Sequence, residues 1–146
     1  MEFLKKYLEQ DIFAPRYLFH GSPYEFEVLE PRQSKDDSNK ENEDNAIFLT
    51  SSFINAAAYA FRNKLKEINS HWSFSINNKG ELPAMTFSVD NLPEDLYGYI
   101  YVFEKDNDMI KDEQEQTTQY RCYHELEPID VVKVYYKEFA SYFNRE

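Results

Sequence analysis

The chain has 146 residues, enough for one domain with a single core. Hydrophobic residues make up 42% and aromatics 17%, which excludes a disordered chain. A formal net charge of −11 disfavours nucleic acid or an anionic membrane as partner and favours a basic one.

In chain order, "EFLKKYLEQ" sets Phe3, Leu4, Tyr7 and Leu8 on one face of a short amphipathic helix. "RYLFH", Arg16 to His20, reads as a buried strand. "FEVLEP" alternates Phe26 and Val28 and breaks at Pro31. Residues 33–45, "QSKDDSNKENEDN", carry no apolar side chain and predict a mobile surface loop. "AIFLTSS" predicts a strand ending in hydroxyls, and Ser51 or Ser52 can cap the next helix.

That helix is predicted over "FINAAAYAFRNKLKEI". Phe53, Ala57, Phe61, Leu65 and Ile68 recur every three or four residues as a core-facing stripe. "HWSFSI" and "AMTFSV" predict strands around a turn at Asn77–Gly80, and "YGYIYVFEK" predicts another. "DNDMIKDEQEQTTQ" is polar. "YRCYHELEPIDVVKVYY" supplies the last strands, interrupted by Pro128, and "KEFASYF" a short closing helix. The expected class is α+β, more strand than helix, in a single domain over 1–146.

Several chemistries are disfavoured. The only cysteine, Cys122, cannot form an internal disulfide and reads as a small buried residue. No zinc-type spacing links it to His20, His71 or His124, so no metal is expected. Three glycines form no phosphate loop and no Gly-x-Ser-x-Gly elbow. Neither a signal peptide nor a run near the roughly 20 apolar residues of a membrane span is present, so a soluble cytoplasmic protein is expected.

Two places can carry chemistry. His20 ends an apolar strand and is followed by Gly21 and Ser22. As a turn residue it is structural. As a ligand contact, its imidazole can bond a ribose hydroxyl while the Gly21 N–H and C=O pair with a planar amide. Tyr59, eleven residues after Phe48, points nearly opposite to the helix's core stripe at about 100° per residue. It is either exposed or the wall of a cleft on which a flat ring stacks. The small Ala56, Ala58 and Ala60 around it admit a close neighbour.

Strand–His-Gly-Ser, a variable loop and "AIFLTSSFINAAAYAF" together resemble the NAD-binding core of the ADP-ribosyltransferase superfamily. The similarity is to the branch with poly(ADP-ribose) polymerases, diphtheria-like toxins and small bacterial and phage transferases. That resemblance implies a split β-sheet core with a few short helices, NAD as co-substrate, and transfer of ADP-ribose to an acceptor. On an acidic chain the acceptor is expected to be protein. By the same likeness, His20 holds a ribose on the adenosine or nicotinamide side, and the Gly21 backbone grips the carboxamide with Ser22 beside it. Phe48 stands where the family usually has a first Tyr. Tyr59 matches the Tyr that stacks on nicotinamide, and Thr50 belongs to the same cofactor-binding set.

Gln119 falls where the family has a catalytic Glu, with Glu115 or Glu113 as other fillers of that place. A carboxylate there stabilises the cation-like sugar as nicotinamide leaves, whereas an amide supplies no negative charge. A relative that removes phosphate from RNA ends would want cleft cations, for which Arg16, Arg32, Arg62 and Arg121 are available. The alternative is a catalytically inactive protein on the same fold, binding a basic partner through its acidic surface.

Overall fold

The computed structural model describes residues 2–26, 29–30, 32–33, 45–113 and 116–146. Most of the expected 33–45 loop, Val28 and Glu115 lie outside the described residues. The architecture is mixed, mostly strand with a few short helices, in two sheets. A turn of 3-10 helix (Glu2–Leu4) leads into α1 (Lys5–Leu8). Then come β1 (Tyr17–Ser22), β2 (Arg32–Gln33), β3 (Asn45–Thr50) and α2 (Phe53–Ile68). They are followed by β4 (Trp72–Ile76), β5 (Met85–Val89), β6 (Tyr97–Glu104), β7 (Ile110–Lys111) and β8 (Gln119–Cys122). β9 (Asp130–Tyr135), α3 (Tyr136–Phe139), a 3-10 turn (Ala140–Tyr142) and β10 (Phe143–Arg145) close the chain.

The larger sheet has seven strands in the order β7-β8-β3-β1-β6-β9, with β2 paired to β3. The smaller has three, β10-β5-β4. The β4–β5 hairpin agrees with the sequence expectation. β10 does not: "KEFASYF" starts as a helix, but Phe143–Arg145 then runs parallel to β5. Three residues cannot announce a strand by periodicity, because only a tertiary partner makes them one.

α2 begins and ends where its stripe predicts. Ser52 caps it, its Oγ accepting the Asn55 N–H at 3.2 Å. Ser51 Oγ instead donates to the Ile12 carbonyl at 2.7 Å. Ser52→Ala is expected to cost about 1 kcal/mol, read as a lowered urea midpoint with unchanged slope. The stripe packs between the sheets as far as Leu65, while Ile68, expected in the same stripe, is exposed at the end of the helix: Phe53, Ala57, Phe61 and Leu65 share a core with Phe19, Ile100 and Val134 on one side and Met85 and Phe87 on the other. A second core covers the far face of the large sheet with Leu18, Ile47, Leu49, Phe103, Tyr120 and Cys122. At α1, Leu4 and Tyr7 are buried as expected, but Phe3 is 73% exposed.

The helix seats very close to the sheet. A Cβ added to Gly21 would lie 1.8 Å from the Ala56 carbonyl oxygen, and one on Gly98 would lie 2.8 Å from the Ala60 Cβ. Ala56, Ala58 and Ala60 are fully buried. The close neighbour that these alanines admit is therefore the sheet, and Gly21 owes its missing side chain to the helix.

Candidate functional site

The site begins where the large sheet splits. β1 runs beside β6 in unbroken register from Tyr17–Glu104 to Ser22–Tyr99. Its register with β3 is confined to Phe19–Thr50. Beyond that pair the strands part, and the His20 ring bridges the gap. Its Nδ1 lies 2.8 Å from the Phe48 carbonyl. A carbonyl only accepts, so Nδ1 carries the proton and Nε2 holds the lone pair in the neutral ring. The imidazole stacks 6.3 Å from the Tyr101 ring. Burial pushes the Tyr101 phenol above its usual range, so it stays neutral and donates to the Tyr24 carbonyl at 2.8 Å.

Antiparallel pairing turns the backbone groups of alternate residues to the same side. Tyr17 shows which side in β1. Its N–H donates to Gln10 Oε1 at 3.0 Å, and its C=O accepts from Gln10 Nε2 at 2.8 Å. Both groups therefore face away from β6. Phe19 faces the same way to meet β3, and Gly21 has the same parity. The Gly21 N–H and C=O thus face the opening. The Gln10 contact also demonstrates the geometry expected at Gly21: one residue's N–H and C=O holding a primary carboxamide by two hydrogen bonds.

The opening is a cleft of about 440 Å³, within the roughly 300–1,000 Å³ of small-molecule sites. His20, Gly21, Phe48, Thr50, Tyr59 and Gln119 all line it. His20 and Tyr59 thus border one opening, although strand alternation turns the His20 side chain to the Tyr101 face of the sheet while Tyr59 comes from α2 on the Phe19 face. β3 and β8 pair Thr50 with Gln119 and Phe48 with Arg121, which puts these four side chains on the face shared with Phe19. Tyr59 reaches them from the second face of α2. Gln119 Nε2 donates to the Tyr59 hydroxyl at 3.2 Å, and that hydroxyl donates to Asn78 Oδ1 at 3.1 Å. Thr50 is 3% exposed, with Oγ1 donating to Thr118 Oγ1 at 3.1 Å, so it supports the cleft floor.

Ser22 is not among the lining residues. It is 5% exposed and its Oγ accepts the Tyr24 N–H at 3.2 Å, which makes it part of the turn leaving β1. Glu113 is exposed and also not among the lining residues, while Glu115 lies outside the described residues. Of the arginines, Arg62 and Arg121 line the cleft, and Arg16 pairs with Glu104 on the surface at 3.6 Å. The side chain of Arg32 lies outside the described residues.

Four lining residues are not singled out as a set by the sequence. Arg62, Asn63 and Lys66 stand three, four and seven residues after Tyr59 and extend its face of α2. The helical projection that isolates Tyr59 contains them. Asn78 has no such signal. The β4–β5 turn delivers it, and its carbonyl accepts the Thr118 N–H at 2.9 Å.

Among the described residues, no helix is long and apolar enough to cross a membrane, and no group of His, Cys, Asp and Glu could hold a metal. Comparison with family models, curated proteins and solved structures returns no match.

Proposed function

We propose that the cleft is a nucleotide-binding site of the ADP-ribosyltransferase type, with NAD as the ligand and a protein as acceptor. The observation that carries this is the convergence of His20, the outward-facing Gly21 backbone, Phe48, Tyr59 and Gln119 on one opening between β1 and β3. In this reading the fold is the split-sheet core of that superfamily. The Gly21 N–H and C=O hold the carboxamide as Tyr17 holds Gln10. The His20 imidazole accepts a ribose hydroxyl at Nε2, since Nδ1 is engaged by Phe48. Phe48 and Tyr59 wall the flat rings.

Bound NAD supplies a glycosidic bond whose cleavage builds positive charge on the sugar. Gln119 can accept a hydroxyl hydrogen bond there and cannot oppose that charge. No carboxylate is among the described lining residues. The site therefore suits binding better than turnover, which favours a second reading: a non-transferring NAD or ADP-ribose binder whose acidic surface meets a basic partner.

Calorimetric titration of NAD with parallel nicotinamide-release assays tests both. Saturable binding is expected, weakened about tenfold in His20→Ala, with thermal melts confirming that the variant folds. Equal affinity and equal turnover in that variant would sink the assignment. Binding without nicotinamide release selects the second reading.

A further inference from the structure

A chain of hydrogen bonds runs from the protein interior to the cleft floor, and its direction is fixed at the buried end. Asn55, in the first turn of α2, is 1% exposed. Its Nδ2 lies 2.7 Å from the Asn77 carbonyl in the β4–β5 turn. A carbonyl only accepts, so the amino end of the Asn55 amide must be the end that meets it. The opposite end agrees, since Asn55 Oδ1 accepts from Ser52 Oγ at 3.4 Å.

The same Nδ2 reaches Asn78 at 3.3 Å, and a donor there requires Oδ1 as the facing atom. Asn78 Oδ1 also takes the Tyr59 hydroxyl proton at 3.1 Å. A phenol has one proton, so toward Gln119, 3.2 Å away, the Tyr59 oxygen can only accept. The facing atom of Gln119 is therefore Nε2. The turn that carries Asn78 is itself pinned, its Asn78 carbonyl accepting from both the N–H and the Oγ1 of Thr118 at 2.9 Å. Two ends of the chain remain. Asn78 Nδ2 and Gln119 Oε1 have no partner among the described residues, and both side chains line the cleft.

We infer that Asn78 is a specificity-determining residue of this cleft, presenting a fixed N–H donor beside the acceptor presented by Gln119, and that Asn55 is the positioning residue that sets both. The ligand atom that Asn78 selects is an oxygen or nitrogen with a lone pair to offer. An amide locked by its neighbours cannot turn over to suit a donor, and it loses little freedom on binding. That Asn78 meets the ligand rests on the nucleotide reading; the direction of the chain does not.

Side-chain NH2 signals of the intact chain are followed by NMR during titration with NAD, in the wild type, Asn78→Asp and Asn55→Leu. In the wild type the Asn78 pair is expected to shift saturably and the Asn55 pair to stay, because the latter is engaged inside the protein. Asn78→Asp keeps an acceptor for both Asn55 and Tyr59 and replaces the cleft-facing donor by an acceptor. It is expected to melt near the wild type and to weaken NAD about tenfold. Asn55→Leu has the same branched shape and keeps the backbone N–H that Ser52 caps. It is expected to weaken NAD about threefold and to shift the Asn78 and Gln119 pairs before any NAD is added. Thermal melts establish folding; where Asn55→Leu does not fold, Asn55→Ser, whose short hydroxyl cannot reach both acceptors, carries the same readouts. A lowered melting temperature with unchanged affinity and unchanged signals overturns the positioning role. Wild-type affinity in Asn78→Asp, with the Asn78 pair unmoved in the wild type, overturns the contact and leaves the nucleotide reading standing. No NAD binding to the wild type removes that reading and the contact with it, and the ligand-free signals of the Asn55 variant then decide the positioning role.

Discussion

Gln119→Glu is expected to raise the rate of nicotinamide release from NAD by roughly 10²–10³. Gln119 lies opposite Thr50 in the β3–β8 register, with its amide 3.2 Å from the Tyr59 hydroxyl. Glutamine and glutamate differ little in shape, so the substitution leaves the packing of β8 intact. It does add a negative charge at the cleft floor. A carboxylate there stabilises positive charge as the glycosidic bond breaks, and it does so only as that charge develops. Tyr59 can donate to it in place of Asn78, and Arg121, two residues along the same strand face, helps keep it ionised. The gain should vanish when His20→Ala is added. NAD affinity retained in Gln119→Glu with no gain in release would show that the cleft does not present the glycosidic bond to β8.

Gly21→Ala is expected to cost about 3 kcal/mol or more, at the upper end of overpacking penalties. The new methyl would overlap the Ala56 carbonyl oxygen at 1.8 Å and approach the Ala60 nitrogen at 3.0 Å. Both are backbone atoms of one helix, so relief requires moving α2 off the sheet and opening the core around Phe19, Phe53 and Phe61. Gly98→Ala should cost less, since its nearest obstacle is the Ala60 methyl at 2.8 Å. Urea unfolding of the two variants checks the order. Wild-type stability for Gly21→Ala would contradict the seating of α2. Because Gly21 holds the fold as well as facing the cleft, lost ligand binding in this variant alone says nothing about the carboxamide.

The elements legible in the sequence are those with a long periodic signal or sharp ends. α2 has both, with a stripe every three or four residues and a serine cap, and its bounds match the expectation. β1, β3, β5 and β6 declare themselves as apolar runs with strand-forming side chains. β2, β7 and β10 are two or three residues long and exist only through their partners. Their pairing energy is non-local, so no local pattern announces them.

The candidate site is legible in a similar way. His20, Phe48, Tyr59 and Gln119 are each marked by position within an element, and the sheet brings them to one opening. Ser22 is grouped with them as a neighbour in sequence, but its hydroxyl is taken up by the tight turn at Tyr24. The cations are harder to see. In a chain of net charge −11, three basic residues carry no weight until α2 and β8 bring them to a common cleft. Gly21 reads in the sequence as having one task and has two, because the approach of α2 is a tertiary fact.

The most direct measurement of the central claim is an amide-resolved NMR titration of the whole chain with NAD. Saturable shifts are expected at Gly21, Phe48, Tyr59, Arg62 and Gln119, around the split between β1 and β3. No shifts at saturating NAD, or shifts centred away from that split, would contradict it.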